Sequence, residues 1–229
     1  MNVFSTSEPG VHDMGKLQAF INTIKDDDEQ YHSMMLIYNL QALNAYVNDY
    51  AAAIGLHLHI DGLRKQVQNV NIRGTIEFTK NMHALDLWNQ MAGREACMTV
   101  FHFGKSLNAI RSTMKDTPTI RAITKHDLLR EANRDLETNF PNYNDARHAA
   151  GHRAEAISSL DAVKKHAVDH GHMKEYLPGR IVEDTYVTTF EGRRIEVELT
   201  ERKRKALSVI TDKIYSAFPD LHNNLPPMS

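Results

Sequence analysis

Cysteine is almost missing from this chain of 229 residues: Cys97 stands alone, which excludes an internal disulfide and suggests a reducing compartment. Its expected role is that of a small buried hydrophobe. Long apolar runs are missing too, and the start, MNVFSTSEPGVHDMG, has neither the basic nor the apolar segment of a signal peptide. A cytoplasmic protein without membrane contact is therefore expected. Charge of one sign is also lacking. With a formal net charge of −2 there is no long-range attraction to nucleic acid, so any RNA contact must be local. The sequence contains no P-loop, GxGxxG, nucleophile elbow, internal repeat or low-complexity tract, and no cofactor is expected.

What is present is an ordinary globular composition, 41% hydrophobic and 24% charged, arranged mostly with helical periodicity. The expected fold is mainly α: an antiparallel helical bundle with a C-terminal β-hairpin and a final helix. Residues 1–12 form a flexible N-terminus in this reading, 13–177 the bundle, 178–218 the hairpin and a helix packed on the bundle, and 219–229 a tail. A short first helix carries Leu17, Phe20, Ile21 and Ile24 on one face. Asp26, Asp27, Asp28 and Glu29 suit the start of a long helix reaching about Ile54. That helix bears two apolar stripes, Tyr31, Met34, Met35, Tyr38, Ala42 and Tyr46 against Leu36, Leu40, Leu43, Val47 and Ile54. Such a helix is central in its fold or packs on a partner chain, and the Met and Tyr stripe reads as core.

LHLHI alternates, so a short strand there would put His57 and His59 on one face, a spacing some metal sites use. Two ligands do not make a site. The preferred reading is a pair of exposed loop histidines, and the glycines at 55, 62 and 74 suggest turns. Helical pattern resumes from about Lys80 to Met114, where Gly93 and Gly104 mark close packing or a bend. Arg94, Glu95 and His102 interrupt this apolar segment. Glu95 and His102 share a helix face, so they form either a structural network with a core histidine or part of a site. Asp116 and Pro118 break the helix, and another follows to Phe140 and Pro141. Later, Ile181 to Phe190 and RIEVELT make the hairpin about Glu191 and Gly192. Thr200 opens the last helix, whose Arg202, Lys203, Arg204 and Lys205 are the one basic cluster able to grip an RNA backbone, or simply a solvated face.

The stretch FPNYNDARHAAGHRAEAISSL carries the strongest chemical signal. Pro141 ends the preceding helix, and Asn142 can cap a new one with Asp145 as a capping-box partner. That helix is expected to run to His166 or Val168 with Ala150, Ala154, Ile157 and Leu160 inward. Arg147, His148 and His152 stand near its start among small residues, where a phosphate would meet a guanidinium, an imidazole and free backbone donors together. Arg147, His148 and the gap to His152 resemble the Arg-x4-His motif of the HEPN superfamily. The same spacing recurs at Arg121 and His126, without the polar residue after arginine or the helix-opening context.

The resemblance implies an all-helical domain, and for the catalytic members of that superfamily a metal-independent endoribonuclease of toxin or defence type. RNA would then be cut through its 2′-OH at a site shared by a homodimer, with RNA and an antitoxin or other protein as partners. His152 would act as base or acid, Arg147 as charge stabiliser and His148 as a phosphate contact. The competing reading is a non-catalytic HEPN-like module that binds a nucleotide or a protein partner. A third is a histidine-metal protein, since His166 and His170 repeat the four-residue spacing of His148 and His152. No dense Cys, Asp or Glu set accompanies those histidines, and no resident metal is assigned.

Overall fold

A computed structural model describes residues 20–69, 74–151 and 153–218 of the chain. The expected flexible segment 1–12, Leu17 of the short first helix, the tail 219–229 and His152 lie outside these described residues. The fold is mainly α, a helical bundle followed by two small antiparallel sheets and a final helix, in agreement with the sequence reading. The described residues divide into two compact units, the first drawn from Met1–Asn48, His102–Asn139 and Lys205–Ser229 and the second from Asp49–Phe101 and Phe140–Arg204.

Helix α1 spans Asp27–Asn69 and α2 spans Ile76–Thr113, and each contributes to both units. Asp26 starts α1 by accepting the Glu29 N–H at 2.7 Å, as its position before an acidic first turn demands. Thr75 plays the same part for α2, where its hydroxyl accepts the Phe78 N–H at 3.1 Å. LHLHI is neither the expected loop nor a strand, because α1 continues through it. The alternation of Leu and His coincides there with helical periodicity: Ala53, His57 and Ile60 are buried, while Leu56 and Leu58 face outward. Gly55 and Gly62 are therefore helical rather than turn glycines. Gly74, with φ +84°, is a true turn residue.

In the first unit, the Leu stripe of α1 forms the core: Leu36, Leu40 and Leu43 are each 0% exposed. Each such side chain contributes about 1.5–3 kcal/mol by leaving water. The Met and Tyr stripe behaves otherwise. Tyr31, Met35 and Tyr38 are 66%, 39% and 49% exposed, so this face is not core. A 3₁₀ turn, Met114–Asp116, leads to α3 at Pro118–Ile123 and α4 at His126–Asn139, where a single helix was expected. Thr124 and Lys125 separate the two, and the Lys125 N–H donates to the Ala217 carbonyl at 2.8 Å instead of continuing a helix. Pro118 occupies the first turn of α3, and Glu29 accepts the Thr119 N–H at 2.6 Å, tying α1 to that helix start. Helix α8, Glu201–Ser216, closes the unit with Leu207, Ile210, Ile214 and Tyr215 buried. The Tyr215 hydroxyl donates to the Leu40 carbonyl at 2.8 Å and accepts from Asn44 at 3.2 Å.

In the second unit, α5 (Tyr143–Gly151), α6 (Arg153–Ala156) and α7 (Leu160–His166) stand where one helix was expected. The Ser158 and Ser159 pair explains the second interruption. Ser158 bonds the Glu155 carbonyl at 2.7 Å, and Ser159 caps α7 by accepting the Ala162 N–H at 3.1 Å. Ile157 and Leu160 consequently face solvent at 59% and 68% exposure, contrary to the inward placement, and Ala154 is exposed as well. Strands β1 (Val168–Asp169) and β2 (Lys174–Glu175) pair in a short ladder.

A three-stranded antiparallel sheet follows: β3 (Arg180–Val182), β4 (Thr185–Phe190) and β5 (Arg193–Glu198), with β4 central. The expected hairpin is β4 with β5, in the register Tyr186 to Val197 and Thr188 to Ile195. Its turn has positive φ at both Glu191 and Gly192, the geometry that suits a two-residue hairpin loop. The expected first strand is cut in two by a turn at Glu183 and Asp184, which yields β3. Helix α5 packs on β4 and β5.

Candidate functional site

The helix carrying the Arg147 motif begins as the proline and asparagine predict. Asn142 takes φ +62°, and its carbonyl accepts the Asp145 and Ala146 N–H groups at 2.9 and 3.0 Å. Asp145 does not act as a capping-box partner. Its carboxylate instead meets the Arg193 guanidinium at 2.8 Å, which fastens the first turn of α5 to β5. The small residues of α5 are used in the same way: Ala146, Ala149 and Ala150 are 1%, 7% and 8% exposed on the face that meets β4 and β5. The small-residue face is thus taken up by the chain's own sheet. Gly151, at the end of α5, has open space where a side chain would stand.

Arg147 and His148 are half-buried and each is held against an aromatic ring. The Arg147 guanidinium carbon lies 5.1 Å from the centre of the Phe101 ring, a cation–π contact of about 0.5–2 kcal/mol. His148 stacks on Phe190, with ring centres 5.8 Å apart and planes 12° from parallel. His166 also stacks on Phe190, at 4.9 Å and 25°. Its Nδ1 accepts the Glu191 N–H at 3.1 Å, which fixes the proton on Nε2 when the ring is neutral. Phe190 therefore carries two imidazoles nearly parallel to its ring. His152, the motif's second half, is outside the described residues.

The supporting residues divide between the units. Arg94 is half-buried and Glu95 exposed in the second unit. His102, in the first, is exposed rather than a core histidine, and its ring stacks on Tyr46 at 5.9 Å. Around the basic cluster, Arg202 and Lys203 both face Glu198, while Arg204 makes a two-pronged pair with Glu201 at 2.5 and 2.8 Å. Lys203 also sits 5.2 Å over the Phe140 ring, and burial depresses its pKa against the opposing pull of Glu198. Lys205 is exposed. Three of the four cations thus face two carboxylates, which shrinks the field available to an RNA backbone.

Among the described residues, no group of three or more His, Cys, Asp or Glu side chains could hold a metal ion. The helical spacing invoked for His166 and His170 does not exist, because α7 ends at His166 and His170 follows β1, where it faces Glu175 at 3.3 Å. No helix among the described residues is long and apolar enough to cross a membrane.

Sequence reasoning missed the polar cluster at His57. His57, 4% exposed rather than a loop residue, has Nδ1 at 2.8 Å from the Asn89 side-chain oxygen and Nε2 at 3.1 Å from Asp184. One residue comes from α1, one from α2 and one from the turn before β4. Their separations of 32 and 127 residues leave no local signal. Comparison with protein-family models finds no match, and comparisons with curated proteins and with solved structures find none.

Proposed function

We propose that the chain is a HEPN-like helical module that works by binding rather than cutting, and that two copies pair through α1. The observation that carries this reading is the exposed row Tyr31, Met35 and Tyr38 on a helix whose opposite stripe, Leu36, Leu40 and Leu43, is completely buried. Two tyrosines and a methionine combine large contact area with adaptable packing, the composition of interface anchors. The engagement of Arg147 with Phe101 and the burial of Ala146, Ala149 and Ala150 by the chain's own strands support a structural role for the motif. Light scattering after size exclusion tests the proposal. The wild type is expected as a homodimer and the double variant Tyr31→Glu/Tyr38→Glu as a folded monomer. A wild type that stays monomeric at high micromolar concentration removes it.

A second reading, the metal-independent endoribonuclease, draws support from one observation: Arg147 and His148 remain half-exposed on adjacent positions of α5. On that reading Arg147 stabilises the phosphorane, His152 and His148 exchange protons and hold phosphate, and Arg202, Lys203, Arg204 and Lys205 steer RNA. An antitoxin-type protein would be the partner and the cytoplasm the place of action. Incubating labelled RNA with wild type and Arg147→Ala, without metal, decides between the two. Cleavage lost in the variant selects the nuclease, and none by either protein selects the binding module.

A further inference from the structure

The second arginine-histidine pair, Arg121 and His126, opens onto a cavity of about 460 Å³ in the first unit. Arg111 from the last turn of α2, Arg121 from α3, and His126 and Arg130 from α4 line it, above Met114 and Leu129. The two apolar residues are 6% and 4% exposed and form a firm floor. The charge is unbalanced. Arg130 pairs with Asp127, but Arg111 donates to the neutral side-chain oxygen of Asn133 at 2.9 Å, and no carboxylate residue lines the cavity. Among the described residues, Arg121 and His126 form no hydrogen bond or ion pair through their side chains.

Three guanidiniums around one hollow repel one another, and an anion placed among them relieves that repulsion while accepting forked hydrogen bonds. His126 is the first residue of α4, 14 residues long, so the helix contributes its positive end in the same direction. The apolar floor sets a second requirement. A hollow of about 460 Å³ is larger than a bare inorganic anion, so an organic group would fill the space over Met114 and Leu129. The volume falls in the range of small-molecule sites, and a chain of net charge −2 offers little to the rest of a polyanion.

We propose that this cavity binds a small phosphomonoester, its phosphate held by Arg111 and Arg121 with His126 and its apolar body resting on Met114 and Leu129. The site is separate from the α1 row and from Arg147, and its test does not depend on either. Calorimetric titration of the full chain with phenyl phosphate and with inorganic phosphate gives the readout. Phenyl phosphate is expected to bind, with inorganic phosphate at least several-fold weaker. Arg121→Gln and Arg111→Gln are each expected to lower affinity at least about tenfold, with Arg121→Lys intermediate. Both arginines are exposed, so circular dichroism should be unchanged in all three variants. Arg64→Gln, on the second unit, should bind as the wild type. The proposal is overturned by absence of saturable binding up to millimolar ligand or by variants that bind like wild type. A single-stranded RNA oligonucleotide that binds more tightly than phenyl phosphate, with steep salt dependence, also overturns it in favour of a polyanion surface.

Discussion

Tyr186 occupies the space that a side chain at Gly93 would need: a methyl group there would fall inside contact distance of the tyrosine Cγ and Cδ2. Its hydroxyl end meets Gly179 in the same manner, and Gly179 also has φ +100°. Two glycines thus bracket a ring that is 1% exposed on the central strand. Gly93→Ala is expected to destabilise the protein by about 1–3 kcal/mol through overpacking. Urea unfolding measures it, and Gly93→Ala combined with Tyr186→Leu should cost less than the sum of the two single changes.

His57→Ala should cost about 2–4 kcal/mol, because the change leaves a hollow and strands a buried polar partner. That partner is the side chain of Asn89, which is 2% exposed and bonded to the ring. Asp184 is 62% exposed at its side chain, so water replaces the lost partner there and Asp184→Ala should cost under about 1 kcal/mol. Equal costs for the two variants in urea would contradict this ordering.

The two faces of α1 should respond differently to truncation in dilute solution, where monomers prevail. Leu40→Ala is expected to lose about 2–5 kcal/mol, since the side chain is 0% exposed. Met35→Ala should stay within about 0.5 kcal/mol of wild type. At concentrations that favour self-association the Met35 change should lower the melting temperature further, because only there does the residue lose a contact.

Alkaline titration should show two opposed lysines. Burial first, against Glu198, lowers the pKa of Lys203 from 10.5, so the native state releases this proton sooner than the unfolded chain. Stability therefore rises with pH between the depressed value and 10.5. Lys213 is raised, chiefly by its hydrogen bond to Asp135 at 2.6 Å, so its contribution is complete below 10.5 and fades as pH climbs through the folded value. Lys203→Met should flatten the rising limb and Lys213→Met the falling one, by under about 1 kcal/mol each, as read from denaturant midpoints between about pH 8 and 11.

Cys97 is 0% exposed and its thiol is pushed well above the ordinary range by burial. A thiol-reactive dye should label it only as fast as the protein opens, and urea should bring labelling to completion. Rapid labelling of native protein would contradict the placement.

The elements legible in the sequence are those whose causes are local. Asp26 before three acidic residues, Pro118 after Asp116, and Pro141 before Asn142 each mark a helix boundary where the structure has one. The hairpin turn at Glu191 and Gly192 is equally local. Gly93 is recognisable as a point of close packing, though nothing near it names Tyr186. What escapes is decided at a distance. Helix α1 runs on through LHLHI because His57 finds Asn89 and Asp184. The Met and Tyr stripe of α1 reads like its Leu stripe in sequence, and only the placement of other helices makes one core and the other surface. At the motif, the position of α5 is legible from Pro141 and Asn142. That β4 and β5 would cover its alanines is not, because those strands lie some forty residues later.

The Leu stripe of α1 is synthesised well before a hydrogen-bonding partner of its backbone, Tyr215, which lies 175 residues downstream of Leu40. The first unit draws on three separated stretches of chain, the last beginning at Lys205. A nascent chain therefore completes that hydrogen bond, and the unit it belongs to, only after α8 has been made. Truncation before α8 is accordingly expected to remove the soluble product, because the unit then lacks one of its three stretches of chain.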